Sequence, residues 1–277
     1  MVIRDLYRQL CSVIAQNPES DAAFEANQLI EFVTGRKRID IMHDTADELT
    51  VQKLTEYAEK RRDGYPLQYI IGKWQFFDME LSVGEGVLVP RQDTETVCEA
   101  AFEVINTLDN PVVLDLCSGS GCIALAVKKF CPHSSVTAVE KSPQAFEYLV
   151  KNAGLTKLSV SLCNADIFEY YKEVEDETVG VIVSNPPYID PAVKPDMQKE
   201  VTFEPEMALF AEEKGLVFYK FIADSYYNKL KKGGYIVFEY GYDQKEAVRN
   251  ILVEKGYTVV REITDMGNNP RGIVVKK

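Results

Sequence analysis

Imidazole is scarce in this chain: His43 and His133 are the only histidines, and no two of the six cysteines (Cys11, Cys98, Cys117, Cys122, Cys131, Cys163) form a C-x-x-C pair. Zinc-ligand spacing is missing, so no metal site is expected. Basic residues are also short, with 31 Lys plus Arg against 43 Asp plus Glu and a formal charge of −12. Nucleic acids are held through their phosphates by a basic face, so no direct nucleic-acid contact is expected. The local basic run Arg36-Lys37-Arg38 reads as a solvated loop. No run approaches the roughly 18 apolar residues that cross a bilayer. The start, MVIRDLYRQL, carries Arg4, Asp5 and Arg8 where a signal peptide has an apolar core. These absences lead to the expectation of a cytoplasmic protein with reduced thiols, away from membranes and monomeric by default.

What is present has two rhythms. Residues 1–66 repeat apolar positions at helical spacing (Leu6, Leu10, Val13, Ile14; Phe24, Leu29, Ile30, Val33; Leu54, Tyr57, Ala58), which predicts a small helical domain. Residues 67–90, from Gln68 aromatic and β-branched with Met79, Leu81 and Val83 alternating against polar neighbours, predict a β-hairpin linker. Over 91–277 short apolar runs (112–116, 135–140, 158–162, 180–185, 235–240) alternate with helical patterns, the signature of a parallel sheet wrapped by helices. The last two runs, 257–260 and 272–275, lack a long helix between them and predict an antiparallel pair at the sheet edge.

The first of these strands runs into Asp115-Leu116-Cys117-Ser118-Gly119-Ser120-Gly121 and then a helix. Glycines at such a junction let a ligand approach the backbone and the unpaired N–H groups of the helix start. The next strand ends in Glu140, about twenty residues on, where a carboxylate accepts from the hydroxyls of a ribose. The third is followed by Asn164-Ala165-Asp166, and Asp166 is placed for the exocyclic amine of adenine. An adenosine ligand fits both NAD and S-adenosyl-L-methionine. The incomplete G-x-G-x-x-G, and an acidic Asp115 suited to an ammonium group, favour the second.

The fourth run delivers Asn185 to the same edge, followed by Pro186-Pro187-Tyr188. Two prolines fix φ, donate no backbone hydrogen bond and present carbonyl acceptors in a stiff frame. The side-chain oxygen of Asn185 and the carbonyl of Pro186 could together accept both N–H bonds of a planar NH2 group, with Tyr188 stacked over its face. Such a group belongs to adenine or to a glutamine amide, and the four residues alone suit either.

With these motifs in view the chain resembles the HemK/PrmC family of protein-(glutamine-N5) methyltransferases, which act on peptide-chain release factors. VLDLCSGSGCIALA, NPPYI, the stretch Pro66-Leu67-Gln68-Tyr69-Ile70-Ile71-Gly72, the stretch Val89-Pro90-Arg91-Gln92-Asp93-Thr94-Glu95, Glu204-Pro205 with Ala208-Leu209, and Phe238-Glu239 carry the likeness. Gln92 and Ile167 depart from it, standing where the family usually has proline and where some relatives have an aromatic residue. The resemblance implies a Rossmann-like α/β methyltransferase fold with a mostly parallel seven-stranded sheet. It also implies S-adenosyl-L-methionine bound by residues 117–121, Glu140, Asp166, Ile167 and Asn185, and the glutamine of a release factor's Gly-Gly-Gln loop held by Asn185 through Tyr188. The N-terminal helices would help to dock the release factor. Two rival functions are an adenine-N6 methyltransferase of DNA or RNA, disfavoured by the charge, and a non-catalytic adenosine-binding interaction protein, disfavoured by the paired motifs.

Overall fold

The computed structural model describes residues 1–277 apart from the side chain of Asp196. The chain divides into two compact units, Met1–Lys73 with Met197–Phe203, and Trp74–Asp196 with Glu204–Lys277. In the first unit, helices α1 (Ile3–Ile14), α2 (Ala22–Thr34), α3 (Arg38–Ile41), α4 (Glu48–Arg62) and α5 (Leu67–Ile71) follow one another. Ile3, Leu6, Leu10 and Ile14 form the buried stripe of α1, one helical face in contact with α2 and α4. Asp21 and Asp47 cap α2 and α4 by accepting from Phe24 N and Thr50 N. Arg61, 1% exposed, closes α4. Its guanidinium grips Glu25 through two 2.8 Å bonds and reaches Ser20, the Tyr65 carbonyl and Glu200. The ring of Phe203 meets Tyr65 edge-on, so the 197–203 segment belongs to this unit although it lies far along the chain.

The stretch expected to open as a hairpin at Gln68 does so only later. Residues 67–71 are helical, ending at Gly72, and the two-stranded sheet is confined to β1 (Lys73–Phe76) and β2 (Met79–Ser82). The β-branched pair Ile70-Ile71 is overruled because Pro66 supplies a helix start and Gly72 a left-handed stop.

The second unit continues through α6 (Gln92–Ile105), β3 (Val112–Leu116), α7 (Cys122–Phe130), β4 (Ser135–Glu140), α8 (Pro143–Thr156), β5 (Ser161–Asn164), α9 (Ile167–Tyr170) and β6 (Val179–Ser184). Two 3-10 turns then lead to α10 (Glu206–Leu209), α11 (Glu212–Gly215), α12 (Val217–Ser225), β7 (Leu230–Glu239), α13 (Lys245–Glu254), β8 (Thr258–Thr264) and β9 (Pro270–Lys276). The seven-stranded sheet runs β5-β4-β3-β6-β7-β9-β8. Pairing is parallel except for β9, antiparallel to both β7 and β8, as the spacing at the C-terminal end predicts. Alternate residues feed two cores: Val113, Val181, Val183 and Val237 pack with α6 and α7, while Leu114, Leu116, Ile182 and Phe238 pack with α12 and α13. Strands buried on both faces are apolar along most of their length, which is why these runs stand out, with Asp115, Ser184 and Glu239 as buried polar residues at or near their C-terminal ends.

One strand is displaced from its expected place. The run 158–162 predicted a strand there, but β5 spans Ser161–Asn164, set by pairing of Thr137 with Ser161 and of Glu140 with Asn164. Leu158 and Val160 pack against the core ahead of the ladder. The register brings Asn164 level with Glu140, so β3, β4, β5 and β6 all end along one edge.

Candidate active site

The loop after β3 turns back under its own strand. Ser118 N donates to the Val139 carbonyl, Ser118 Oγ to the Asp115 carbonyl and Gly121 N to the Ser118 carbonyl. Cys117 is held at φ 64°, a left-handed conformation that favours glycine. Gly119 has φ 54°, and a Cβ there would meet nothing within 4 Å, so the loop presents bare backbone to open space.

That space opens into a concave cleft at the strand ends, the usual setting of a small-molecule site. Of the residues singled out in the sequence, it brings together Cys117, Gly119, Glu140, Asp166, Ile167, Asn185 and Pro187 on its wall. Glu140 is 8% exposed; its Oε2 accepts from Gly119 N and its Oε1 from Ser142 N, both at 2.7 Å. Burial raises its carboxyl above the usual range, and the N–H groups of Ser142, Gly119 and Lys141 oppose the shift. Each oxygen keeps a second lone pair for a hydroxyl donor. Asp166 caps α9 through Phe168 N and pairs with Lys141 Nζ at 2.8 Å. Ile167 and Phe218 supply apolar walls.

Asp115, Ser118, Ser120, Gly121, Pro186 and Tyr188 stand behind the wall. Asp115 is fully buried; its Oδ2 accepts from Ala124 N at 3.0 Å, and its Oδ1 has no partner among the described residues. Burial pushes its carboxyl up to about 7 against hydrogen bonds from Ser118 and Ala124. The Ser120 hydroxyl is likewise buried without a partner. Gly121 is the N-cap of α7 at φ 83°.

Asn185 is the first residue beyond β6. Its Nδ2 points at Thr94 Oγ1, 3.4 Å away, with the buried carboxyl of Glu239 close by, leaving Oδ1 as the end of the amide available to the cleft. Among the described residues no protein donor reaches the Pro186 carbonyl. The Tyr188 carbonyl is taken by Gln244 Nε2 at 2.8 Å, and Ile189 N and O bond Leu209 O and Ala211 N, which fixes the exit of the turn. Burial and the nearby Glu239 carboxylate push the Tyr188 hydroxyl far up, so it is a neutral phenol at physiological pH.

The cleft also contains residues that sequence reasoning did not single out as site residues. Gly86, Leu88, Lys141, Ser142, Ala145, Met207 and Phe218 line it, and Pro205 and Ala208 do so from a stretch noted only for its likeness to the family. Thr94 and Glu239, which hold the Asn185 amide from behind, were legible only as parts of such stretches.

The loop fits an adenosyl cofactor by its own features. Bare glycine backbone faces the space, a carboxylate lies at each of two successive strand ends, and apolar walls suit a flat ring.

Residues 96–212 match the family described as Methyltransferase small domain, and residues 5–72 the PrmC N-terminal domain. The chain is 34% identical to the release factor glutamine methyltransferase of Salmonella typhimurium, over 96% of this chain and 97% of that one. It is 34% identical to the Escherichia coli protein of the same name, over 93% and 91%. A relative from Fusobacterium nucleatum is 37% identical over 79% of this chain, which spans 61% of that protein's length. A methyltransferase structure from Pyrococcus furiosus shares the fold with a TM-score of 0.53 at 21% identity, covering 73% of this chain and 90% of that one. With a helical N-terminal unit, an adenosyl-shaped cleft and an Asn-Pro-Pro-Tyr wall on one Rossmann-like sheet, the chain belongs to the release factor glutamine methyltransferase family.

Proposed function

We propose that this protein transfers a methyl group from S-adenosyl-L-methionine to the side-chain amide nitrogen N5 of the glutamine in the Gly-Gly-Gln loop of peptide-chain release factors. The observation that carries this is the placing of Asn185 and Pro187 on the same cleft wall as Cys117, Gly119, Glu140 and Asp166. Cys117, Gly119, Glu140, Asp166 and Ile167 would hold the cofactor, with Glu140 toward the ribose. Bound there, the cofactor would supply an electrophilic sulfonium methyl for exchange against one N–H proton of the substrate amide.

An amide nitrogen is a weak nucleophile because its lone pair is delocalised into the carbonyl. Asn185 Oδ1, on the cleft wall, would accept one of its N–H bonds, and the Pro186 carbonyl, free of a protein donor although its ring stands behind the wall, would accept the other; together they would hold the nitrogen in line and favour localisation of the pair. The prolines contribute rigidity. Tyr188, neutral and anchored through its carbonyl, keeps the turn from relaxing away. The helical unit would contribute to docking the release factor, and the protein would act in the cytoplasm as a monomer.

The test is to incubate the protein with S-adenosyl-L-methionine and either a release factor or DNA and to map the product by mass spectrometry. One added methyl group on the Gly-Gly-Gln glutamine is expected. Methylation of adenine alone would overturn the assignment, and failure to bind the cofactor in a thermal-shift assay would favour an interaction protein.

A further inference from the structure

The carboxylate of Glu239 lies directly behind the glutamine-binding wall and has no part in the mechanism so far. In the parallel pair β6–β7, Ser184 stands beside Phe238, so the next residues, Asn185 and Glu239, leave the sheet side by side. Glu239 is 3% exposed. Thr94 and Asn185 lie close enough to its carboxyl to favour the ionised form, and its Oε2 has no partner among the described residues. Thr94, in the first turn of α6, is 2% exposed and closes the triangle with Asn185 Nδ2.

We propose that Glu239, with Thr94, is the positioning residue that holds the Asn185 amide with Nδ2 inward and Oδ1 toward the substrate nitrogen. An asparagine amide has two ends of equal size and opposite hydrogen-bonding character. Turned over, it would present an NH2 to the NH2 of the substrate, donor against donor, and lose its function. An ionised carboxylate only accepts, so it selects the Nδ2 end; a carboxylic acid donates and can satisfy Oδ1, which removes the selection. Burial pushes the Glu239 carboxyl up to about 7, opposed by hydrogen bonds from Thr94 and Asn185 and by the charge of Arg271, and reinforced by Asp93. The titratable groups around it are Asp93 and Cys98 on α6, Cys122 on α7, Tyr188 of the turn, Tyr219 on α12 and Arg271 on β9. Among these Arg271 supplies the positive charge that favours ionisation, and turnover should rise with pH through neutrality.

The assignment rests on glutamine methylation being the reaction, and its experiment separates the two. Methylation of a Gly-Gly-Gln protein is followed from pH 5.5 to 9 (about one probe every half unit around the shifted carboxyl) for wild type, Glu239→Gln, Thr94→Val and Thr94→Ser. Cofactor affinity by calorimetry, Tm, and affinity for a Gly-Gly-Gln peptide are measured alongside. Glu239→Gln is expected to lower kcat at least about 10-fold, to weaken peptide binding, to leave the cofactor Kd unchanged, and to abolish the acid limb of the pH profile. Thr94→Val should lose turnover and Thr94→Ser, which keeps the hydroxyl, should recover part of it, which keeps the test available even if Glu239→Gln fails to fold. Wild-type kcat with the acid limb intact in Glu239→Gln would overturn the assignment, as would a loss of kcat matched by loss of cofactor affinity. A wild-type enzyme that leaves glutamine unmodified would overturn the parent reaction as well.

Discussion

Replacing Gly215 by alanine tests how tightly the Asn-Pro-Pro-Tyr turn is clamped. Gly215 has φ +80°, and a Cβ built there would lie 1.9 Å from the Tyr188 carbonyl oxygen, 2.6 Å from Gln244 Nε2 and 2.7 Å from the Tyr188 carbonyl carbon. The obstacles are backbone and the amide already bonded to it, so neither can swing aside as a free side chain would. Relief requires the Tyr188 carbonyl to retreat by about 1 Å, the displacement that costs an active site on the order of 10²-fold. The left-handed backbone adds about 1–2 kcal/mol for a non-glycine residue, and overpacking adds about 1–3 kcal/mol. A loss of roughly 2–5 kcal/mol in all would lower Tm by roughly 5–15 °C at this size. Gly119→Ala is the control: its φ of 54° carries the conformational penalty, but its Cβ enters open space. That variant should lose only about 1–2 kcal/mol, while its KM for S-adenosyl-L-methionine rises because the new methyl occupies the cleft. Differential scanning calorimetry and steady-state methylation kinetics on the two variants decide the matter. Equal Tm values for Gly215→Ala and Gly119→Ala, or a Gly215→Ala enzyme with wild-type kcat, would refute the clamp.

Asn185→Ala should lower kcat on the order of 10²-fold or more with an unchanged far-UV circular dichroism spectrum; near-normal turnover would remove Asn185 from its role. Asp115 keeps its proton up to about 7 when folded but only to about 3.9 when unfolded. Between these values the folded state alone is protonated, so stability falls as pH rises through that window. Asp115→Asn should flatten the decline of Tm from pH 4 to 7, and parallel curves for the two proteins would contradict the burial argument. In the helical unit, Arg61→Ala strands Glu25, itself 6% exposed, and should cost about 3–5 kcal/mol in urea unfolding; a change under about 1 kcal/mol would show that Glu25 finds another partner.

Local chemistry determined a good deal of this protein in advance. β3 and β4 occupy the residues that their apolar runs predict, 112–116 and 135–140, because both are interior strands of the sheet, mostly buried along their length. The glycine loop, Glu140, Asp166 and the Asn-Pro-Pro-Tyr turn were visible because each lies at a strand end, where sheet topology alone sends them to one edge. Pairing decided β5, an edge strand whose position follows β4, not its own composition. Tertiary structure also decided which site residues face the cleft. Asp115, attractive in sequence as a partner for an ammonium group, turns inward to Ala124 N, while Phe218 arrives at the cleft from a segment without a motif and Pro205 from one noted only for its likeness to the family. The Thr94–Asn185–Glu239 triangle joins residues up to 145 positions apart. Spacing along a chain registers contacts within a helix or strand, whereas that triangle is made by two adjacent strands and the helix packed across their ends.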